Sequence, residues 1–593
     1  MQRRTGKRLA IILIAALMAV TFMPRSLMAE GLTSGLEGRV IKSASNLPRR
    51  YDIRELGTVT RVKSQKPWVT CWAFGACTAA EISILNELGL TADQYKEKYG
   101  QELNLSEKHL AWFTRTPVTL ENGKEGFVPY NSSEKGIMEA VYYFGGYSFF
   151  GGTIFAQLCG PVDEYLEIDG KTPFLYGDSE GKREAEGDWS LKDSDRWYFS
   201  YELENANHLP LPWVKTTEQT DEGYQIYYLE NEEARTMIKK ELMKGHGVEI
   251  GYFADFDDPD FDITYTKKDG EYHTQYSYDP NVGNHCVCII GWDDDFDGKN
   301  FVQNREGEYP KNGAWLVMNS WGSQTDAADE SDPDYGEFGN KDKNGKRDGT
   351  FWLSYYDITI DEVETYDFIT ERLENAVTIV HQYDYLPYDR SGMTCSAEPG
   401  KKVRTANVFK ASEPMELFAV ACETAYADSR VNFEVYRLKD NYKDPTDGQL
   451  IDSRTAFFEY AGYHRINLNG RFEFDEGEKY SVVVTQQANT ENGFTYVFSC
   501  NSSRAKEEDP YFPTYAAAVV NPGESYFYTE DARFGKENEW TDWSDEDSYR
   551  NTWTKKEAEI NNPVVDNFCI KAFADPFVGD WNGEEDDKTV SGN

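Results

Sequence analysis

The chain has 593 residues, of which 28% are charged, and its formal net charge is −42 at pH 7. This length exceeds one ordinary hydrophobic core and predicts roughly two to four domains of about 150 residues each. The strongly negative charge excludes nucleic acid as a partner, because phosphate recognition needs a basic surface.

Residues 1–29 have the form of a secretory signal peptide. A basic beginning precedes an apolar run from Leu9 to Phe22, and small residues stand at and near Ala29. The run is shorter than the ~20 apolar residues that a membrane span needs. We therefore expect cleavage after Ala29, a secreted extracellular protein and no membrane span in the mature chain. Residues 30–46 are predicted to be a short polar segment before the first domain.

A helical pattern of apolar residues starts at Cys71 and continues to Leu88, where Gly89 provides a C-terminal stop. A second helical pattern follows Ser106, whose hydroxyl suits an N-cap. Cys71 is therefore predicted to lie at a helix N-terminus. The helix dipole and a nearby imidazolium lower the pKa of a thiol at such a position.

The next 270 or so residues mix helical and strand patterns, in keeping with about two domains in total. Two helical patterns and then four strand patterns lie at 136–144, 231–243, 247–253, 285–292, 314–319 and 350–355. Acidic stretches near 160–230 and 323–348 lack a clear period and are predicted to be insertions of loops and short elements.

The C-terminal part of the chain changes character. Residues 376–577 carry recurrent strand patterns separated by turn residues, which predict an all-β sandwich domain. The acidic segment 363–375 is predicted to be the linker before it. Residues 578–593 are predicted to be a disordered acidic tail.

Three residue types far apart in the chain suggest nucleophilic catalysis. A cysteine alone is more often a small core residue, and a nucleophilic thiolate needs a base and a group that orients the base. His285 is the best base among the seven histidines, because it begins the apolar strand pattern NHCVCIIGW. Asn319 ends another strand pattern, and its amide oxygen would fix the tautomer of His285. The indole of Trp321 would shield that hydrogen bond from water.

These residues resemble the papain-type cysteine peptidases. The stretches that carry the resemblance are VTRVKSQKPWVTCWAF, LSEKHL, GNHCVCIIGWDD and NGAWLVMNSWG. The resemblance implies a papain-like α+β catalytic domain at 47–362, with a helical half and a β half. It implies that Cys71 is the nucleophile, that His285 is its ion-pair partner and general acid, and that Asn319 orients His285.

The resemblance further implies an oxyanion hole made by the Gln65 side chain and the Cys71 backbone N–H, with Trp321 as the shielding indole. It implies no metal and no organic cofactor. The chain departs from the family between Lys66 and Thr70, where the family has a glycine- and serine-rich run and this chain has Trp68.

The region 376–577 resembles the lectin-like β domain appended to some secreted bacterial papain-type peptidases. The stretches that carry this resemblance are HQYDY, ANVFKASEPMELFAVACETA, FEVYRL, GYHRINL, GEKYSVVV and DNFCIKAF. The name of that domain implies binding to cell-surface glycans. A structural or protein-docking module is the alternative interpretation.

Two smaller patterns allow metal binding but favour simpler interpretations. Residues 293–300 place oxygen ligands at the alternate spacing of a calcium loop, but Asn304 stands where such loops need a bidentate glutamate, so a solvated turn is favoured. Cys286 and Cys288 occupy alternate positions of one strand, which favours packing into the core over a metal pair.

The leading hypothesis is a secreted papain-like cysteine endopeptidase that acts on protein or peptide substrates. Two alternatives stay open. One is a catalytically inactive, surface-associated binding protein or adhesin, since Pro67 and Trp68 could block the cleft. The other is a cell-wall peptide hydrolase or transpeptidase that keeps the nucleophile and changes the substrate.

Overall fold

The computed structural model describes residues 47–220, 223–255, 264–268, 270–370, 378–387, 393–504, 513–557 and 563–577. The signal peptide predicted at 1–29, the segment 30–46 and the tail 578–593 lie outside the described residues. In the part of the chain that the structure describes, no helix is both long and apolar enough to cross a membrane.

Most helices lie in the first half of the chain. The α-helices within the described residues are α1 (Cys71–Glu87), α2 (Ala92–Tyr99), α3 (Glu107–Arg115), α4 (Glu134–Tyr142), α5 (Phe149–Phe155), α6 (Glu232–Lys244) and α7 (Tyr549–Glu557). Helix α1 is buried from Cys71 to Leu85, so it is the central helix of this half. Helix α3 begins where expected, because the Ser106 hydroxyl accepts the His109 N–H at 3.0 Å.

The strands fall into two groups along the chain. The first group is β1 (Arg50–Asp52), β2 (Val118–Leu120), β3 (Gly123–Pro129), β4 (Glu202–Leu209), β5 (Trp213–Thr220), β6 (Gly223–Glu230), β7 (Val248–Tyr252), β8 (Thr266–Lys267), β9 (Thr274–Gln275), β10 (His285–Asp293), β11 (Ala314–Met318), β12 (Thr350–Ser354) and β13 (Asp361–Ile369). The strands predicted near 250, 290, 316 and 352 are thus confirmed.

The second group builds the C-terminal domain. It is β14 (Ile379–His381), β15 (Met393–Ser396), β16 (Val403–Lys410), β17 (Met415–Thr424), β18 (Ser429–Leu438), β19 (Gly448–Phe458), β20 (Ala461–Phe474), β21 (Lys479–Thr490), β22 (Gly493–Cys500), β23 (Ser502–Arg504), β24 (Thr514–Ala517), β25 (Ser525–Thr529), β26 (Glu539–Asp542), β27 (Pro563–Val565) and β28 (Ile570–Pro576).

The two halves of the chain share one sheet. Its strand order is β14-β28-β17-β20-β4-β13-β7-β10-β11-β12-β9-β8, with β1 paired to β10. The junction is the antiparallel pair β20·β4, in which Tyr463 lies opposite Ala206. The buried side chains of Arg465 and Glu202 form an ion pair at 2.7 Å beside this junction. The domains are therefore joined by backbone hydrogen bonds and not only by the connecting chain.

The linker predicted at 363–375 is wrong for residues 363–369. These residues belong to β13, which lies between β4 and β7 in the shared sheet. The acidic composition misleads because Glu364 is buried and already has partners: it accepts from the Tyr366 hydroxyl at 2.7 Å and pairs with His208 Nε2 at 3.1 Å. Residues 371–377 lie outside the described residues.

The C-terminal domain is the predicted β sandwich. Its second sheet has the order β15-β22-β21-β16-β25-β26, with β18 and β19 joined through β21. Apolar side chains of this sheet, such as Val482 and Val484, share one buried cluster with Val420 and Ile570 of the shared sheet. Two sheets packed face to face around such a core define the sandwich.

Candidate active site

The predicted nucleophile stands where the sequence places it, at the first residue of a buried helix. Cys71 begins α1 and is 4% exposed. The first turn is closed by the Ala73 N–H, which donates to the Thr70 carbonyl at 3.0 Å. The helix packs against β10, whose first residue is His285. The helix and the strand thus bring together two residues that are far apart in sequence.

Asn319 contacts His285 through the hydrogen bond that the sequence predicts. His285 Nε2 lies 2.8 Å from Asn319 Oδ1, and because an amide oxygen only accepts, Nε2 carries the hydrogen of this bond. The Trp321 ring covers the pair, with its centroid 4.9 Å from the imidazole centroid. Strands β10 and β11 are antiparallel neighbours, so both residues lie at one end of the sheet. Since Nε2 is bonded to Asn319, the hydrogen bond between His285 and the Cys71 sulfur falls to Nδ1.

The surroundings of Cys71 favour its thiolate form. The pKa of Cys71 lies well below its ordinary value, and the largest cause is a hydrogen bond from the Cys286 thiol. Burial opposes this shift, while the charge of His285, a hydrogen bond from His285 and the Cys286 backbone N–H support it. A thiolate is the reactive form of a cysteine nucleophile.

Cys286 is a site residue that the sequence pattern assigns only to the core. It is buried and belongs to the core cluster, as the alternation of β10 predicts, but its thiol is also the largest cause of the lowered pKa of Cys71. The Ser148 hydroxyl donates to Cys286 Sγ at 3.5 Å. The alternation of the strand indicates the face toward α1. It does not indicate how closely the helix passes, which only the packed structure shows.

Gln65 lies beside the pair formed by His285 and Asn319. Its backbone N–H donates to the Ser320 carbonyl at 2.9 Å, and its Oε1 accepts from the Ser320 hydroxyl at 2.8 Å. Its Nε2 donates one hydrogen to the Trp68 carbonyl at 3.0 Å. A primary amide nitrogen carries two hydrogens, so Nε2 has a second hydrogen besides the one that it donates to Trp68. The side chain is therefore held at both ends next to the candidate site.

Trp68 belongs to the aromatic core of the helical half. It is 3% exposed and packs on Tyr142, with ring centroids 5.2 Å apart, and on the edge of Trp189 at 5.4 Å. The indole in the segment that departs from the family thus fills a core position, while Pro67 is exposed. This packing removes the main support for a cleft blocked by Trp68.

A buried ion cluster explains why two of the motif stretches occur together. Lys63, two residues before Gln65, donates to Glu81 at 2.9 Å and pairs with Glu107 of the LSEKHL stretch. Burial lowers the pKa of Lys63, but the charges of Glu107 and Glu81 raise it well above its ordinary value. Removing one member of such a buried cluster costs about 3–5 kcal/mol. The cluster therefore anchors the segment that carries Gln65.

The acidic insertion predicted at 323–348 supports the same segment. Asp334 Oδ1 accepts the Ser64 backbone N–H at 2.8 Å and pairs with Arg183 at 2.6 Å. Arg183 belongs to the insertion predicted near 160–230. Both insertions thus contribute polar contacts that hold the backbone next to Gln65.

One group among the described residues has the composition of a metal site. The candidate ligand atoms of Glu87, His246 and Asp367 lie within 4.8 Å of one another. His246 Nδ1 also pairs with Glu241 at 2.9 Å, and Nε2 lies 3.3 Å from Asp367. An ion-pair network accounts for this arrangement, which lies at the opposite end of α1 from Cys71.

The acidic loop after β10 satisfies its oxygens locally. Asp293 accepts the Asp295 N–H at 2.8 Å, Asp297 accepts the Lys299 N–H at 3.0 Å, and Asp295 pairs with Arg49. The two backbone bonds are those of a turn, which is the favoured interpretation of the pattern.

Comparison with known proteins agrees with both parts of the structure. Residues 382–574 match the family model described as a lectin like domain. A solved structure of the clostridial cysteine protease Cwp84 after propeptide cleavage is 20% identical, with a TM-score of 0.54 over 89% of this chain and 99% of that one.

A second solved structure contains the cysteine protease and lectin-like domains of Cwp84, which is described there as a surface layer associated protein of Clostridium difficile. It is 19% identical, with a TM-score of 0.55 over 90% of each chain. The fold therefore matches that of the cysteine protease and lectin-like domains of Cwp84, with the lectin-like part at 382–574. At this level of identity the likeness concerns the fold, and activity needs a separate argument from the site.

Proposed function

We propose that this chain is a secreted papain-like cysteine endopeptidase. The observation that carries the proposal is the hydrogen bond of 2.8 Å between His285 and Asn319 next to a Cys71 thiol whose pKa is lowered. Nucleophile, base and orienting amide are the three groups that acyl transfer by a thiol needs. All three are buried among secondary-structure elements that fix their positions.

The proposed reaction follows from these positions. The Cys71 thiolate attacks the carbonyl carbon of a peptide bond, and the Gln65 side chain with the Cys71 backbone N–H stabilises the oxyanion. His285 then protonates the leaving amine from Nδ1, while Asn319 holds the imidazole in the required orientation. Water, deprotonated by His285, finally hydrolyses the thioester and restores the thiolate.

We also propose that the lectin-like domain directs the enzyme to a surface. The fold shared with Cwp84, a surface layer associated protein, supports a location outside the cell and at its surface. Glycan binding is the proposal that the domain name suggests. The continuous sheet makes the two domains one unit, so a bound surface would present its proteins to the protease domain.

A cleavage profile on a diverse peptide mixture tests the peptidase proposal. The wild-type chain should cleave internal peptide bonds, and the Cys71→Ala variant should not. Equal cleavage by both would contradict the proposal. Including cell-wall stem peptides in the same mixture separates a general endopeptidase from a cell-wall peptide hydrolase, and added acceptor amines would reveal transpeptidation.

Selective alkylation tests the alternative of an inactive binding protein. If Cys71 is a thiolate nucleophile, a thiol-directed reagent should label it first among the nine cysteines. Slow, unselective labelling would favour the inactive adhesin. The glycan proposal is tested separately, by binding of the Cys71→Ala chain to a glycan array.

A further inference from the structure

The glycine loop, defined as residues 144–148, borders the candidate active site. A Cβ atom added to Gly146 would lie 2.5 Å from the indole of Trp72, so the Gly146 backbone rests on the residue that follows the nucleophile. The Ser148 hydroxyl donates at 3.5 Å to the sulfur of Cys286, the residue that follows the candidate base. The backbone at 145–146 is partly exposed. The loop thus lies at the solvent-facing edge of the site, where a bound polypeptide substrate would extend.

Arg115, the last residue of α3, holds the glycine loop by its backbone. Its Nη2 donates to the Gly145 carbonyl at 2.9 Å and to the Phe144 carbonyl at 3.2 Å. The side chain is 9% exposed, and its guanidinium carbon lies 5.3 Å from the ring centroids of both Phe127 and Phe150. Because the guanidinium is planar and is fixed between two rings, it presents charged donors to two successive carbonyls in one rigid geometry.

Arg115 is supported in part by the lectin-like domain. Phe127 belongs to β3, which pairs in antiparallel register with β24 of that domain, and Ala516 lies opposite Phe127. Arg115 Nη1 also donates at 3.4 Å to the hydroxyl of Thr514, the first residue of β24. Direct contacts therefore connect β24 through Arg115 to the Gly145 carbonyl.

We propose that Arg115 is a positioning residue for the polypeptide substrate and that the lectin-like domain, through β24, keeps Arg115 in place. The inference rests on the proposed function, because it concerns the substrate cleft of the same peptidase site. Arg115 acts on the backbone of the glycine loop and not on the reacting groups. The lectin-like domain then contributes to substrate binding in the protease domain, in addition to any surface that it binds itself.

A purely structural role of Arg115 predicts a different result from a positioning role. Replacing a buried arginine that only stabilises the fold lowers the Tm, but the folded variant binds its substrate normally. Replacing a positioning residue weakens substrate binding and spares the chemical step, so KM rises while kcat stays. The matched control is Arg465, which is buried at the β20·β4 junction between the domains and pairs there with Glu202 at 2.7 Å.

The test compares Arg115→Lys with Arg465→Lys in the full chain, on the best peptide from the cleavage profile. Lysine keeps the charge but lacks the planar fork of a guanidinium. In Arg115→Lys we expect KM to rise about tenfold, with kcat changed less than about twofold. Arg465→Lys should lower the Tm and leave both constants near their wild-type values. An unchanged KM in a folded Arg115→Lys variant, or an equal rise in both variants, would overturn the inference.

Substitutions of Thr514 test the contribution of the lectin-like domain. Thr514→Val removes the acceptor oxygen, keeps the shape of the side chain and should raise KM about twofold. Thr514→Ser keeps the hydroxyl and should match the wild type. Since Arg115 and Thr514 are in contact, the double variant should show less than the product of the two single effects. An exact product would contradict the part assigned to β24.

Two alkylating reagents separate a failure of this inference from a failure of the proposed function. Iodoacetamide is small and reaches Cys71 without occupying the glycine loop, whereas a peptidyl chloromethyl ketone first binds along it. Arg115→Lys should slow the peptidyl reagent about tenfold and leave the iodoacetamide rate unchanged. That result in a chain that cleaves no peptide would contradict the proposed function and support the inference. Equal slowing of both reagents would overturn the inference, and a wild-type Cys71 that reacts with neither would overturn both.

Discussion

Helix α1 has an ionisable residue at each end. The surroundings of these two residues shift their pKa values in opposite directions. At the N-terminus, the Cys286 thiol and His285 lower the pKa of Cys71 despite its burial. At the C-terminus, burial raises the pKa of Glu87 to about 8; the Phe368 N–H counteracts this, and the charge of Asp367 adds to it.

The helix dipole acts in the same sense at both ends, since it favours an anion at an N-terminus and disfavours one at a C-terminus. The neighbouring strands enlarge the contrast. Strand β10 supplies a hydrogen-bond donor and a cationic partner to Cys71, whereas β13 supplies the carboxylate of Asp367 to Glu87. Burial at Glu87 and the hydrogen bond from Cys286 at Cys71 are thus the largest causes of the two shifts, and the helix dipole acts in the same direction as each.

The largest expected effect comes from removing the cationic partner at the N-terminal end. His285→Ala should reduce kcat/KM by about 10²–10⁴-fold, the contribution of general acid–base catalysis. The measurement is cleavage of the best peptide from the profile. His246→Asn changes a buried histidine near the Glu87 end of the same helix and should leave kcat/KM nearly unchanged. Equal losses in both variants would mean that the two ends do not differ in function.

A smaller effect is expected for Asn319→Ala. The variant loses the bond of 2.8 Å that orients His285, and a buried hydrogen bond is worth about 0.5–1.5 kcal/mol, so kcat should fall about two- to tenfold with little change in KM. Loss of the folded state, detected by circular dichroism, would instead assign Asn319 a structural role. A loss as large as that of His285→Ala would contradict a purely orienting role.

The contrast between predicted and unpredicted residues has a physical cause. Cys71, His285 and Asn319 can be placed from sequence, because each stands at the end of a helix or strand with a clear hydrophobic period. The interaction of Cys286 with Cys71 cannot be placed from sequence. The period of β10 gives the face on which each residue lies and not the distance of that face from α1. The pairing of β20 with β4 is hidden for a similar reason. It joins residues about 250 positions apart, and no local pattern encodes such a partner.

The buried acids illustrate the same limit. Composition predicts that Glu364 is solvated, yet it lies at 0% exposure between Tyr366 and His208. Charge patterning assumes that a carboxylate faces water unless a partner is visible nearby in sequence. In this fold the partner His208 comes from β4, which was expected to be part of a loop insertion.

A still smaller effect is expected from Cys286→Ala. Without the thiol that donates to Cys71, the pKa of Cys71 should rise, so the pH at which alkylation of Cys71 becomes fast should move upward. The loss of one hydrogen bond limits this shift to about one pH unit. The pH dependence of the iodoacetamide rate measures it, with Cys288→Ala as control. An unchanged profile would show that His285 alone stabilises the thiolate.

The smallest expected effect lies at the other end of the helix and concerns stability. The folded-state pKa of Glu87 is about 8, against an ordinary value of 4.5, so the folded chain binds more protons than the unfolded chain between these values. The free energy of unfolding should therefore fall as the pH rises from 4.5 to 8, through this group alone.

Glu87→Gln removes that ionisation and keeps an oxygen that accepts the Phe368 N–H. The variant should match the wild type below pH 4.5, where Glu87 is neutral in both states, and should melt higher above pH 8. We expect a Tm difference of roughly 1–3 °C, measured by calorimetry across this range. Glu97→Gln, on the exposed face of α2, is the control and should show no such trend. A Tm difference that is constant with pH would mean that Glu87 is ionised in the folded chain, and the contrast between the two ends of α1 would then rest on Cys71 alone.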